Sequence, residues 1–449
     1  MARRNLRNYF SIKRPVFSNL RASRKFRPVM VLRKAPRTII GTLNKIVYFF
    51  CFSWRWIKDF WVKKPYKYPV SINRPPTLLQ AENEKAIIIG IASDWANDTP
   101  QSVFIGACLG KKGLDNNPPD VTIHLGDTYF SGSVRELNAC FGKNGQGGHW
   151  PRGVMGTFAL AGNHEMYSSG VHFYNMISRP KNKFGFRSEG QEPVFCLETD
   201  HWRVIGLDTG YNSLRPGIHL NPDNLCLLLK ESVIKWLGDV VKISEDKRGI
   251  IILTHHQIFT GFNKEMEFIN PAEQLQRLLP GREVIWIWGH EHRFAMYGKY
   301  AKSPDHLVAY GRCIGNGGMP NELTSGRNVD ESRAKDRNLV IYDKRMADSF
   351  PIKGINKTLN IGYNGYAVLQ FLKSELIIQY YAGYKADESI VHTPHPSIGS
   401  GKDELVFTEK WRADTATGKI VCTHAEDHTA PLDEGLTQYK TPISRDVFN

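Results

Sequence analysis

Short apolar runs, each ending in a polar or glycine-bearing turn, set the rhythm of the middle of the chain. Residues 86–91 (AIIIGI) form the first, and others follow at 121–125, 157–161, 204–207, 250–253 and 284–288. Runs this brief and this continuously apolar are expected of strands buried on both faces. Helical stretches are predicted between some of them, at 225–241 and 271–279. The alternation predicts an α/β core. Residues 195–207, which reverse at Thr199-Asp200-His201, read as a hairpin, so the sheets are expected to be mixed.

The pattern changes after Gly289. Residues 307–314 and 367–381 read as strands, whereas 320–360 are polar and predict a long surface excursion. Beyond about residue 411 the pattern weakens. The expected organisation is an N-terminal arm over 1–80, a folded core domain over 81–410 and a C-terminal tail over 411–449.

Charge sharpens this division. The net charge of +15 is concentrated at one end: residues 1–80 hold 19 Lys or Arg against one acid, Asp59. The remainder holds 40 basic and 43 acidic residues, so the basic character belongs to the arm rather than to the core. Such an arm suits an anionic membrane surface, with nucleic acid a less favoured partner because no helix-turn-helix or finger spacing is visible. Within it, 45–64 predicts a helix with Ile46, Val47, Phe50, Trp54, Ile57 and Trp61 on one face and Lys45, Arg55, Lys58 and Asp59 opposite. That pattern suits a helix lying in a membrane interface, or one packing on its own domain. Arg55, Lys58 and Asp59 interrupt it too often for a membrane span. No clean secretory signal is visible, and the seven cysteines include no CxxC pair, so reduced thiols and a cytoplasmic location, with peripheral membrane association, are expected.

Five islands carry the chemistry. They are Ser93-Asp94-Trp95-Ala96, Gly126-Asp127, Gly162-Asn163-His164-Glu165, Thr254-His255-His256 and Gly289-His290-Glu291-His292. Each puts Asp, Asn or His where an apolar run stops. Side chains at the ends of neighbouring parallel strands converge, even when far apart in sequence. Pooled, the islands hold enough oxygen and nitrogen ligands for two adjacent metal ions, which points to metal-assisted hydrolysis of a phosphate ester.

In this order and spacing the islands resemble the calcineurin-like metallophosphoesterases, and within them most closely the purple acid phosphatase branch, in which a tryptophan often follows the first aspartate as Trp95 does here. The resemblance spans roughly residues 85–320. It implies a four-layer α-β-β-α sandwich of two mixed β-sheets flanked by helices, here with a basic N-terminal arm. It also implies two divalent or mixed-valence ions, Mn, Fe or Zn, and a phosphomonoester or phosphodiester substrate. By the same resemblance Asp127 bridges the ions, Asp94 and His292 hold the first, and Asn163, His255 and His290 hold the second. His164 would contact phosphate and help protonate the leaving oxygen, with a water ionised to hydroxide attacking phosphorus in line.

The chain departs from the pattern at the first ion. Ala96 stands where many members have a histidine ligand. The tyrosine with which the purple acid phosphatases compensate would fall at Phe130, so Tyr129, one residue early, is a further candidate ligand. His256 and Arg293 are candidate substrate contacts, while His124 is expected in the core, and His149 and His172 either at the entrance or in surface loops. Cys422, His424 and His428 have no supporting pattern. Two other readings stand beside the phosphoesterase: a non-catalytic scaffold tethered by its arm, and a nucleic-acid phosphodiesterase using the arm as its footprint.

Overall fold

The computed structural model describes residues 65–449 apart from short stretches at 81–84, 97–98, 143–147, 180–183, 187–189, 212, 214–226, 264–265, 304, 324–327, 353–356, 386–400, 430–434 and 441–442. The helix expected at 45–64 and the rest of the arm before residue 65 lie outside the described residues. Contacts divide the chain into two compact units, Met1–Cys51 with Ile352–Lys357, and Phe52–Pro351 with Thr358–Asn449; the second contains all that follows.

Strands β1 (Ile87–Ala92), β2 (Val121–His124) and β3 (Gly156–Ala159) come first. The hairpin follows as β4 (Phe195–Glu198) and β5 (Trp202–Gly206), then β6 (Gly249–Leu253), β7 (Glu283–Trp288), β8 (Phe294–Tyr300), β9 (Val308–Ile314) and β10 (Leu339–Tyr342). Two further hairpins close the chain: β11 (Asn364–Leu372) with β12 (Glu375–Gly383), and β13 (Asp403–Asp414) with β14 (Lys419–Asp427).

These strands form two mixed sheets. The eight-stranded sheet runs β14-β13-β12-β11-β1-β2-β3 and ends at Gly185–Phe186. The nine-stranded sheet runs from Thr77–Leu78 through β4-β5-β6-β7-β9-β8-β10 to Thr437–Gln438. In the first, β1, β2 and β3 are parallel; in the second, β5, β6, β7 and β9 are. The expected hairpin is present, with Phe195 opposite Gly206 in antiparallel register.

Alternation along the parallel strands explains why they read as unbroken apolar runs. Ile87, Ile89 and Ile91 of β1 share one core with Ile251 and Leu253 of β6 and Ile285 and Ile287 of β7, so the sheets pack face to face. Ile88 and Ala92 point the other way, into a second core with Ile105 and Leu109 of α1 (Pro100–Leu109) and Leu137 and Phe141 of α2 (Val134–Phe141). On the far side, Ile250, Ile252, Trp286 and Trp288 face a third core. Each fully buried Ile or Leu side chain contributes about 1.5–3 kcal/mol, which strongly specifies this two-faced register. The layers are helix, sheet, sheet, helix.

Helix starts follow their local sequence. Thr99 caps α1 by accepting from the Ser102 amide, with Pro100 in the first turn. Ser133 and Glu136 form a reciprocal capping box on α2. The remaining helices that matter here are α3 (Asn163–Met166), α4 (Val171–Ile177), α5 (Glu231–Lys235), α6 (Asn270–Gln276) and α7 (Glu331–Asp336).

Three expectations are corrected. Residues 320–360 are not a surface excursion: they hold α7, β10 and a three-stranded sheet, and Leu339, Val340 and Ile341 are fully buried. That apolar run is too short to stand out from its polar flanks. The stretch read as a tail from 411 contains the end of β13 and all of β14, where Ile420 and Cys422 enter the core while Lys419 and Val421 face solvent. A half-buried edge strand needs only alternate apolar positions. The helix expected over 225–241 is shorter: 227–230 are not helical, α5 begins at Glu231, and it runs into a π-helical turn at Trp236–Val240.

Candidate metal centre

Every island lies just beyond the C-terminal end of a parallel strand. Asp94 follows β1, Asp127 follows β2, Asn163 and His164 follow β3, His255 follows β6, and His290 and His292 follow β7. The two sheets therefore contribute to one rim. The turns that carry the islands are sharp. Asp94, Asp127, His290 and His292 adopt φ of 53°, 60°, 65° and 45°, a region that non-glycine residues visit only with strain.

Two glycines make the close approach of these turns feasible. A Cβ on Gly126, itself at φ 104°, would meet the Gly162 amide at 2.6 Å and His255 Nδ1 at 2.8 Å. A Cβ on Gly289 would meet Ser93 Oγ at 1.9 Å and Asp94 Oδ2 at 2.5 Å. No other residue type fits at either place without displacing a ligand or its turn.

The ligand candidates gather around two imidazole nitrogens. His255 Nδ1 lies 3.0 Å from the Leu125 carbonyl, which can only accept, so Nδ1 carries a proton and Nε2 is the nitrogen that faces the cluster. Around that Nε2 stand Asn163 Oδ1 at 3.2 Å, His290 Nδ1 at 3.3 Å and Asp127 Oδ2 at 3.4 Å. The second centre is His292 Nε2, with the Tyr129 hydroxyl at 2.6 Å and Asp94 Oδ1 at 3.3 Å. Asp94 Oδ2 accepts from the His290 amide at 2.8 Å, tying the two halves together. Ligand atoms of Asp94, Asp127 and His255 all lie within 4.8 Å of one another, as do those of His255, His256 and His290.

Electrostatics follow from burying these groups together. Burial alone would raise Asp94, but His292 close beside it and the charges of His255 and His292 hold its carboxyl below the ordinary value. Burial opposes ionisation of Asp127 in the same way, and His255 and His164 keep it well below the usual range. Burial would depress the His255 imidazolium, yet the Asp127 carboxylate lifts it to about 9. His290 is pushed down to about 3 by burial and by the charge of His255. The groups thus stand in for each other's partners.

They fit metal ions on their own evidence. Asp94 Oδ1 is buried and accepts no hydrogen bond, an orphaned acceptor of the kind a cation satisfies. Carboxylate, amide oxygen and imidazole together suit Mn, Fe or Zn.

His164 sits at the mouth of the cluster. Its Nδ1 donates to the Phe130 carbonyl at 2.8 Å, and its Nε2 lies 3.9 Å from Asp127 Oδ2, with 22% of the side chain exposed. Tyr129, displaced by one residue along the chain, nevertheless brings its hydroxyl to His292, and its ring lies 4.3 Å from that of His164. A φ of 69° lets the backbone make this turn. His256 joins the rim: its ring lies 4.7 Å from that of His290, and both its amide and Nδ1 lie within 3.2 Å of Thr209 Oγ1.

Arg293 is placed differently from its expected role as a substrate contact. Its guanidinium stacks 3.7 Å over Phe262, Nε donates to the Glu291 carbonyl, and the residue is 7% exposed. It braces the last island. His124 lies in the core as expected, packed against Trp150 and Phe141. His149 is exposed and His172 half-buried. His424 and His428 flank Glu426 on the surface, far along the chain from any island.

Sequence reading missed the role of Glu165. This fully buried carboxylate takes the Asp127 and Gly162 amides on Oε2, at 3.0 and 2.7 Å. Oε1 takes the Thr128 amide at 2.7 Å and its hydroxyl at 2.6 Å. It locks the second island to the third. Glu291 does a related job, accepting from Trp288 Nε1 and Thr260 Oγ1. The signal was present, since both follow a histidine within an island, but neither faces the ligand cluster.

Residues 89–294 match the sequence model of the calcineurin-like phosphoesterase family, a span that includes all five islands. Residues 89–294 are thus similar to calcineurin-like phosphoesterases, as the islands indicated. No curated protein matches the chain in sequence. Among solved structures, a purple acid phosphatase, PPD1, from yellow lupin (Lupinus luteus) seeds is 14% identical with a TM-score of 0.40, covering 66% of this chain. This chain spans about half, 51%, of the lupin enzyme's length. GAP50, the anchor in the inner membrane complex of Plasmodium, is 10% identical with a TM-score of 0.41, covering 70% of this chain and 90% of its own. Vps29 of Chaetomium thermophilum is 10% identical with a TM-score of 0.26, covering 73% of this chain and 98% of its own. Among the described residues, no helix is long and apolar enough to cross a membrane.

Proposed function

We propose that this chain is a hydrolase of phosphoric esters that works with two metal ions. The observation that carries this reading is the pairing of two ligand clusters, around His255 Nε2 and His292 Nε2, with the Asp127 carboxylate beside the first and the Asp94 carboxylate joining the second to it. Asp94, His292 and Tyr129 would hold one ion, and Asn163, His255 and His290 the other, with Asp127 shared. Bound there, the ions would supply Lewis-acid activation of water and neutralisation of phosphate charge.

The protein's own groups do the rest. The Leu125 carbonyl fixes the His255 tautomer so that Nε2 stays a ligand. The Phe130 carbonyl does the same for His164, leaving its partly exposed Nε2 to hold a proton and deliver it to the departing oxygen. Glu165 fixes the backbone from which Asp127 reaches the cluster.

The test is hydrolysis of a panel of phosphomonoesters and phosphodiesters with Mn²⁺, Fe, Zn²⁺ or Co²⁺ supplied. Turnover in the parent, with near-complete loss in Asp127→Asn and a loss of about 10²–10⁴-fold in His164→Asn, is expected. Full activity in Asp127→Asn would show the site to be misassigned. Near-stoichiometric metal binding without turnover of any ester would favour the tethered-scaffold reading, for which the buried Ala96, offering no ligand, is the motivating residue.

A further inference from the structure

We infer that the face bearing the metal-ligand rim docks on an anionic lipid bilayer, and that the ester hydrolysed there is presented by that surface. The second half of this inference rests on the phosphoesterase reading; the first does not.

The basic arm leads into the described residues at 65. Tyr66 donates its amide to the Ser169 carbonyl at 3.2 Å, stacks on Tyr174 at 4.2 Å, and accepts the Tyr211 hydroxyl on its carbonyl at 2.9 Å. Both partners lead straight to the rim. Ser169 is six residues beyond Asn163 through α3 and the turns that continue it, about 9 Å at helical rise. Tyr211 is two residues beyond Thr209, which holds His256, and Gly210 between them is packed on the third island, where an added Cβ would meet the Gly162 carbonyl at 2.8 Å. Tyr66, the second described residue, is therefore held by segments that continue from the ligand-bearing turns.

The surface around this root has the chemistry of a membrane contact. Val70 is 95% exposed and Leu228 is 40% exposed. The Ser232 hydroxyl, bonded to the Pro69 carbonyl at 2.9 Å, holds their two segments side by side. Lys67 is exposed, and Lys230 places its ammonium 4.8 Å over the Tyr211 ring. Apolar side chains beside lysines, with the neighbouring Glu231 carboxylate paired to Lys235 at 3.0 Å, suit an acyl boundary under anionic headgroups. The preceding sequence agrees: residues 1–64 carry 17 Lys or Arg against one acid, with Trp54, Trp56 and Trp61 within eight residues of sequence. Tryptophan is enriched at the lipid–water interface. A duplex backbone would recruit the charges but gives such indoles no apolar layer. A domain held by this arm meets the bilayer with its rim.

The test uses the full chain with neutral phosphatidylcholine vesicles and with vesicles containing 30–40% (about a third) phosphatidylglycerol, in flotation assays across a salt series. Binding to the anionic vesicles alone, weakening with salt, is expected. Lys67→Gln and Lys230→Gln should each lower partitioning roughly five-fold, and Val70→Asp should lower it further. None of the three touches a ligand, so hydrolysis of a soluble aryl phosphate should be unchanged, while hydrolysis of a vesicle-borne phosphoester falls. Equal binding to both vesicle types, no binding to either, or patch variants that bind like the parent would overturn the docking. Salt-sensitive binding to duplex DNA with no vesicle binding would replace the bilayer by nucleic acid. Aryl phosphate turnover without vesicle binding refutes the docking alone. Vesicle binding with no turnover of any ester refutes the phosphoesterase reading alone.

Discussion

Replacing Glu165 with glutamine removes one charge and almost no volume, yet it should loosen the whole rim. Each carboxylate oxygen accepts two donors, and an amide can present an acceptor to only one of the two pairs. If the new NH₂ faces Thr128, the hydroxyl can turn to accept, but the Thr128 amide is orphaned. If it faces the other way, the amides of Asp127 and Gly162 are both orphaned. One buried unsatisfied donor costs about 1–3 kcal/mol, and the surviving bonds lose their charge assistance, so Glu165→Gln should destabilise by about 2–4 kcal/mol. Urea unfolding of the metal-free protein reads this directly. The same change should weaken metal binding by about 10–100-fold, as for other supports of metal ligands, because Asp127 is held at its strained φ through its amide. Titration with Mn²⁺ or Zn²⁺ reads that part. Glu165→Asp, which keeps the charge, should recover some of both losses. An unchanged urea midpoint together with unchanged metal affinity in Glu165→Gln would refute the view that this carboxylate organises the site.

Arg312 and Glu409 form a fully buried bidentate pair that joins β9 to β13 across the sandwich, so Arg312→Met or Glu409→Leu alone should cost about 3–5 kcal/mol. The double replacement should restore most of that loss in chemical denaturation, and two nearly neutral single variants would contradict the idea of a clasp. Asp208 is fully buried and pushed up to about 6 by desolvation, against hydrogen bonds from Tyr174, Tyr211 and Gly210 that pull it down. A raised acid favours the fold when protonated, so its contribution is complete below the unfolded value near pH 4 and is lost as pH rises through about 6. Relative to Asp208→Asn, the parent should lose about 3 kcal/mol across that window, and parallel stability profiles would dismiss the shift. Tyr129→Phe keeps the ring but removes the hydroxyl that meets His292, so occupancy of one of two ions should fall selectively, by about 10-fold or more in affinity. A two-site titration that loses both ions equally would place Tyr129 outside the first centre.

Much of the fold was legible because its central strands are buried on both faces. Ile87 to Ile91 and Val284 to Trp288 have no solvent side, so the sequence there is apolar at every position and the strand stands out. Edge elements were harder to see for the opposite reason. In β14 only alternate residues meet the core, and β10 is four residues between polar turns, so composition pointed to a tail and a loop. The site was legible as a set of residue types at strand ends. Its supports were not: Glu165 and Glu291 face away from the ligands into the protein, and nothing in their local pattern says what they will meet.

By itself the sequence determined which residues could ligate metal and which strands would deliver them, since both depend on local pattern and short turns. It also confined the basic charge to one end of the chain. The tertiary structure alone decided that Tyr129 reaches His292 despite its shifted position, that Arg293 braces Phe262, and that Tyr66 packs on Ser169, Tyr174 and Tyr211. Those outcomes depend on contacts between segments up to 163 residues apart, set by how the sheets pack and not by any neighbour along the chain.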